Sequence, residues 1–130
     1  MHVTVTTIIF GLPEGQRLVS TRFTVATATL TVRELIARKV EQEVAECLAC
    51  ERPGLSGEYL SPEVLIKART REALTPGTVD TEIVRAQRAF AARDYMIVID
   101  DKRLFDPDIG VTLLPETRIE FIKILPLVGG

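Results

Sequence analysis

The sequence predicts an α+β fold: a mixed sheet wrapping one main helix, with a helical insertion. Three observations carry this reading. Residues 2–29 read as two strands of Val, Ile and Thr on either side of a Gly/Pro turn. Residues 32–49 place apolar side chains at helical spacing behind a capping signal. From residue 95 onward the composition returns to short apolar strands separated by Asp, Pro and Gly. The 130 residues make one domain by size, and 46% hydrophobic content supplies a core without disulfides or metals.

The elements follow in order. Val3, Val5, Thr7 and Ile9 fall on one face of the first strand; Thr4, Thr6, Ile8 and Phe10 fall on the other. Gly11-Leu12-Pro13-Glu14-Gly15 turns the chain. The second strand is expected over about 17–29, with Phe23, Val25, Thr27 and Thr29 sharing a face. Thr31-Val32-Arg33-Glu34 is a capping box. Behind it Ile36, Val40, Val44 and Leu48 recur every four residues, widened by Val32 and Leu35. That stripe is built to lie across the apolar face of the hairpin.

Residues 51–57 read as a loop, and Ser61-Pro62-Glu63 as a helix start leading to a short helix that ends near Leu74. Thr75-Pro76-Gly77 breaks it, and another helix is expected from Asp80 or Thr81 to Arg93, carrying Ile83, Val84, Ala86, Ala89 and Phe90. Tyr95–Ile99 is an uninterrupted apolar run of strand length, suited to the middle of a sheet. Asp100-Asp101-Lys102 is a tight turn, Arg103–Phe105 a short return strand, and Asp106–Gly110 a second turn. The last strand is expected over 117–125, with Ile119 and Phe121 on one face and Ile122 and Ile124 on the other. Residues 126–130 project as a tail, and the whole of 1–130 is one domain with 51–94 inserted.

Hairpin, long helix, further strands and a long final strand are the order of a β-grasp sheet. In that arrangement the last strand pairs with the first in parallel. A parallel pair needs a long crossover, and the intervening elements provide it.

Charge and composition exclude several functions. Sixteen basic and 18 acidic side chains give a net charge of −2, spread along the chain without a basic face for nucleic acid. No apolar run approaches the roughly 20 residues of a membrane-spanning helix. Met1-His2-Val3-Thr4 alternates and does not read as a signal peptide. Two cysteines are too few for a disulfide framework, so the expected compartment is the cytoplasm.

The chemistry-bearing candidates are few. Cys47-Leu48-Ala49-Cys50 lacks the second ligand pair of a zinc site, and it ends a helix rather than starting one. Asp100, Asp101, Asp106 and Asp108 lack the spacing of a calcium loop and read as turn residues. One histidine, His2, cannot assemble a nucleophilic triad, and Gly11 and Gly15 lack phosphate-loop spacing. Lys67, Arg69, Arg71, Arg85, Arg88 and Arg93 are balanced by Glu63, Glu72, Asp80, Glu82 and Asp94. No metal ligand set is expected.

The remaining feature is Gly129-Gly130, after a strand that becomes apolar and proline-stiffened over Ile124-Leu125-Pro126-Leu127-Val128. Random glycine usage would end a chain this way in only about 0.5% of cases. A β-grasp order with a projecting Gly-Gly resembles the ubiquitin-like superfamily, which includes the sulfur carriers of thiamine and molybdopterin synthesis. Residues 115–121 and 125–130 resemble its closing strand and tail, and Thr31–Ile36 the start of its helix. The resemblance covers about 1–50 and 95–130; residues 51–94 have no place in a minimal β-grasp. The chain is also similar to ubiquitin-like proteins encoded in bacterial operons beside activating, conjugating and deubiquitinating-type enzymes.

That resemblance implies a modifier rather than an enzyme. Gly130 and Gly129 would be the adenylation and conjugation site, with no cofactor in the chain itself and ATP used by the partner enzyme. The implied partners are an activating enzyme, a conjugating enzyme, a deconjugating peptidase and a target protein. Glycine suits the role because it adds no Cβ beside the acyl carbon. Ile122, Ile124, Leu125, Pro126, Leu127 and Val128 would form the partner-binding surface beside the tail. The same resemblance also allows a sulfur carrier with a Gly130 thiocarboxylate, or a non-covalent adaptor subunit.

Overall fold

Alternating Val, Thr and Ile produce the first hairpin. Strand β1 (His2–Leu12) pairs antiparallel with β2 (Gly15–Thr24). This is a computed structural model, and it describes residues 1–12, 15–49 and 79–124. The expected loop at 51–57, the helix ending near Leu74 and the tail at 126–130 lie outside the described residues.

Val3, Val5, Thr7 and Ile9 are buried on one face of β1, as the alternation requires. β2 is shorter than expected and stops at Thr24. The ladder ends with His2 opposite Thr24, where the Val25 N–H donates to the Met1 carbonyl at 2.9 Å. Val25 stays buried, but the chain bends at 26–28, and Thr27 and Thr29 are exposed rather than continuing the Phe23 face. The chain then forms a separate short strand, β3 (Thr29–Thr31).

Helix α1 (Val32–Ala49) begins where the capping box places it. The Glu34 N–H donates to Thr31 Oγ1 at 3.1 Å, and the Thr31 N–H donates to Glu34 Oε1 at 3.4 Å. Val32, Leu35, Ile36, Val40 and Val44 are fully or nearly fully buried against the sheet. Helix α2 (Val79–Ala91) packs on α1 and brings Ala86 and Phe90 into the same core.

The carboxyl-terminal part adds β4 (Met96–Ile99), β5 (Lys102–Leu104), β6 (Gly110–Thr112) and β7 (Ile119–Ile124). β6 pairs with β3 and was not legible in the sequence, because Gly110 reads as the end of a turn and Val111 is the strand's single apolar residue. β7 begins two residues later than expected. The Leu114 N–H donates to Thr117 Oγ1 at 2.7 Å, which holds Thr117 in a turn.

The main sheet is mixed and five-stranded, in the order β2-β1-β7-β4-β5. β1 and β7 are parallel, and every other neighbouring pair is antiparallel. α1 lies across one face of this sheet, and Phe121 and Ile119 of β7 meet it from the centre. Tyr95 stacks on Phe121 at 5.7 Å between ring centroids and tilts against Phe90 at 5.8 Å. Its hydroxyl donates to the Ala86 carbonyl at 2.8 Å, tying α2 to the sheet.

Candidate functional site

Because β-strand side chains alternate, burying one face of the sheet under α1 forces its other residues outward. The cross-strand register then aligns them. Leu18 of β2 stands opposite Ile8 of β1, Ile8 opposite Ile122 of β7, and Ile122 opposite Met96 of β4. One apolar side chain from each of four strands makes a continuous transverse row. In the next row Phe10 pairs with Ile124.

Exposure grades along these rows. Ile8, Ile122 and Met96 are half-buried by their neighbours. Leu18 is 57% exposed, Phe10 38% and Ile124 61%. These six apolar side chains from four strands share the outer face of the sheet. On its other side the row gives way to Ser20, Thr6, Glu120, Val98 and Arg103. The outer face therefore has apolar rows bordered by a row of mixed, mostly polar residues.

Of the residues singled out in the sequence, Ile122 and Ile124 lie on this outer face, and Ile119 and Phe121 lie inward. Leu125, Pro126, Leu127, Val128, Gly129 and Gly130 lie outside the described residues, as does Cys50. β7 is the central strand of the sheet, and its last residues stand beside Phe10.

The other candidates have structural partners. His2 Nδ1 is 3.2 Å from Thr24 Oγ1 on the exposed side of the hairpin. Asp100 and Asp101 form the two-residue turn between β4 and β5, with φ of 48° and 66°. Asp100 Oδ1 accepts from the Arg118 N–H at 2.9 Å, and Asp106 Oδ1 accepts from the Asp108 N–H at 2.9 Å. Asp108 pairs with Arg33 at 3.1 Å, pinning the loop before β6 to the start of α1. Among the described residues no group of three or more His, Cys, Asp or Glu could hold a metal ion. Among them, too, no helix is long and apolar enough to cross a membrane.

Sequence reasoning missed a buried charge pair. Lys39 and Glu43 of α1 are almost wholly buried and form an ion pair one helical turn apart. Lys39 Nζ also sits 4.8 Å from the Phe121 ring centroid, within cation–π range. The signal was present: positions 32, 36, 39 and 43 follow the same helical stripe.

The chain matches no known protein family, no curated protein and no solved structure.

Proposed function

We propose that this chain is a ubiquitin-like β-grasp protein modifier, activated at Gly130 and conjugated to target amines in a bacterial ubiquitination-like pathway. The observation that carries the reading is the sheet order β2-β1-β7-β4-β5 around α1, with β7 parallel to β1 at the centre. In a β-grasp domain that central final strand delivers the tail. Here it leads into Leu125-Pro126-Leu127-Val128-Gly129-Gly130. The apolar rows of Leu18, Ile8, Ile122 and Met96, and of Phe10 and Ile124, provide a recognition surface beside the tail.

The chemistry takes four balanced steps, the third being attack of a conjugating-enzyme thiolate on the thioester with release of the activating enzyme's thiolate. A Gly130 carboxylate oxygen attacks the α-phosphorus of ATP on the activating enzyme and releases pyrophosphate. A cysteine thiolate of that enzyme attacks the acyl carbon and displaces AMP, and the thioester passes to a conjugating enzyme. A target lysine amine then attacks the thioester, forms an isopeptide bond, loses a proton and releases the thiol. Every catalytic group belongs to a partner, and a deconjugating peptidase reverses the last step by hydrolysis. This chain contributes the acyl carbon, an unbranched Gly-Gly that fits a narrow channel, and the surface that positions it.

The test is mass spectrometry of the chain expressed in its own cells. The last tryptic site precedes Ile124. A conjugated target peptide would therefore retain residues 124–130 on a lysine, and Gly130→Ala would remove that product. A shift of the intact chain equal to replacing one oxygen by sulfur, without lysine adducts, would overturn the modifier in favour of a sulfur carrier. An unchanged mass with a stable non-covalent complex would overturn it in favour of an adaptor subunit.

A further inference from the structure

At the other end of the sheet, β5 is an edge strand among the described residues. We propose that the β5 edge, with Arg93, Arg103 and Phe105, is a docking site for an extended acidic polypeptide segment, which adds to the sheet as a sixth strand.

Backbone geometry supplies the first argument. The β4–β5 hairpin has a two-residue turn with both central residues left-handed, closed by Ile99 opposite Lys102. In such a hairpin the closing pair exchanges main-chain hydrogen bonds, and the next pair does not. That next pair is Val98 and Arg103. The Arg103 N–H and C=O therefore point away from β4, toward the free edge, where a partner strand can use both.

Side chains supply the second. Phe105 follows β5 and is 53% exposed, a large aromatic that the core does not use. The Arg103 guanidinium carbon lies 4.5 Å from its ring centroid and that of Arg93 lies 5.4 Å away. Stacking on the ring holds both guanidinium groups in place. The Arg93 backbone is set just after α2, with φ of 64° and its N–H donating to the Phe90 carbonyl at 2.9 Å. Neither arginine has a carboxylate partner among the described residues; Arg22 and Arg88 share that, but only Arg93 and Arg103 of the described arginines lie over an aromatic ring. Two oriented, unneutralised guanidinium groups beside a free edge complement carboxylates.

The polypeptide is favoured over a nucleic acid by the surroundings. Asp94, Asp101 and Asp106 are exposed within a few residues of the arginines. They would repel a continuous phosphate backbone, while an extended peptide can place single carboxylates against the arginines. The inference is independent of Gly130.

The experiment selects from a displayed library of random octapeptides on the full chain. Selected peptides should be enriched in Asp and Glu at alternating positions, and should shift the Arg103 and Phe105 backbone amide resonances. Arg103→Gln, and Arg93→Asn, which tolerates the left-handed backbone, should each weaken binding about tenfold. Arg103→Pro should abolish it, because it deletes the outward N–H at an edge position where proline is accommodated. Thermal unfolding of each variant separates lost binding from lost fold. Selection without acidic enrichment, binding unchanged by the folded variants, or equal binding of an oligothymidylate would overturn the proposal. Recovery of no peptides would also overturn it and leave Lys102 and Arg103 as charges that protect the edge from aggregation.

Discussion

A lysine and a glutamate are buried on α1 among its apolar side chains. Lys39 is 0% exposed, and its ammonium is held between the Glu43 carboxylate and the face of Phe121. Burying two charges costs several kcal/mol per ion, which mutual attraction offsets only while both partners stay. Lys39→Met should therefore cost about 3 kcal/mol, because it keeps the stem volume and leaves the Glu43 carboxylate without the ammonium. Lys39→Met with Glu43→Leu should recover most of the loss, since an apolar pair fills similar volume without desolvation. Urea unfolding of the two variants checks this, and equal destabilisation would show that the Glu43 carboxylate left behind is not the source of the cost. The pair was hidden in the sequence because charged residues are assigned outward by default, although their spacing on the stripe was readable.

Local chemistry at the ends of elements was the most legible part of the sequence. The Thr31–Glu34 capping box sets the start of α1 and is present with both reciprocal bonds. Thr31→Ala should cost about 1 kcal/mol, read as a lowered urea midpoint at unchanged slope. The β4–β5 turn was legible as a turn, but its left-handed geometry was not. Asp101 has φ of 66° and, among the described residues, a 3.8 Å exposed ion pair with Arg118 to offset that conformation. Asp101→Gly should gain about 0.5 kcal/mol net, as relief of the left-handed strain exceeds the extra entropy of glycine in the unfolded chain. A lower thermal midpoint would show that the ion pair outweighs the strain. The end of β2 was misplaced for a different reason. Val25, Thr27 and Thr29 continue the composition of a strand, but the pairing with β1 stops at Thr24 and the chain bends at 26–28, and composition does not record where a partner's pairing stops.

At the scale of the whole molecule, the order of elements foretold a parallel pairing between the first and last strands, and β1 and β7 are so paired. The outer-face position of Ile122 and Ile124 followed from the same alternation. The transverse row through Leu18, Ile8, Ile122 and Met96 did not, because it depends on register across four strands, which no local pattern encodes. Register across layers decides the place of α2 as well. Ala86 is 0% exposed and Phe90 3%, both in the core shared with α1 and the sheet. Phe90 also tilts against Tyr95, whose hydroxyl reaches back to Ala86. Removing residues 51–94 would strip this cover from α1 and Tyr95. Truncation of a single buried phenylalanine costs about 3–5 kcal/mol, and a domain of this size holds only about 5–15 in total. The chain lacking 51–94 should therefore lose its cooperative urea transition and its near-ultraviolet circular dichroism. Phe90→Ala alone should keep the transition at a lower midpoint. A cooperative transition in the deleted chain would show instead that α1 and the five-stranded sheet form a self-sufficient core, with α2 as an addition laid upon it.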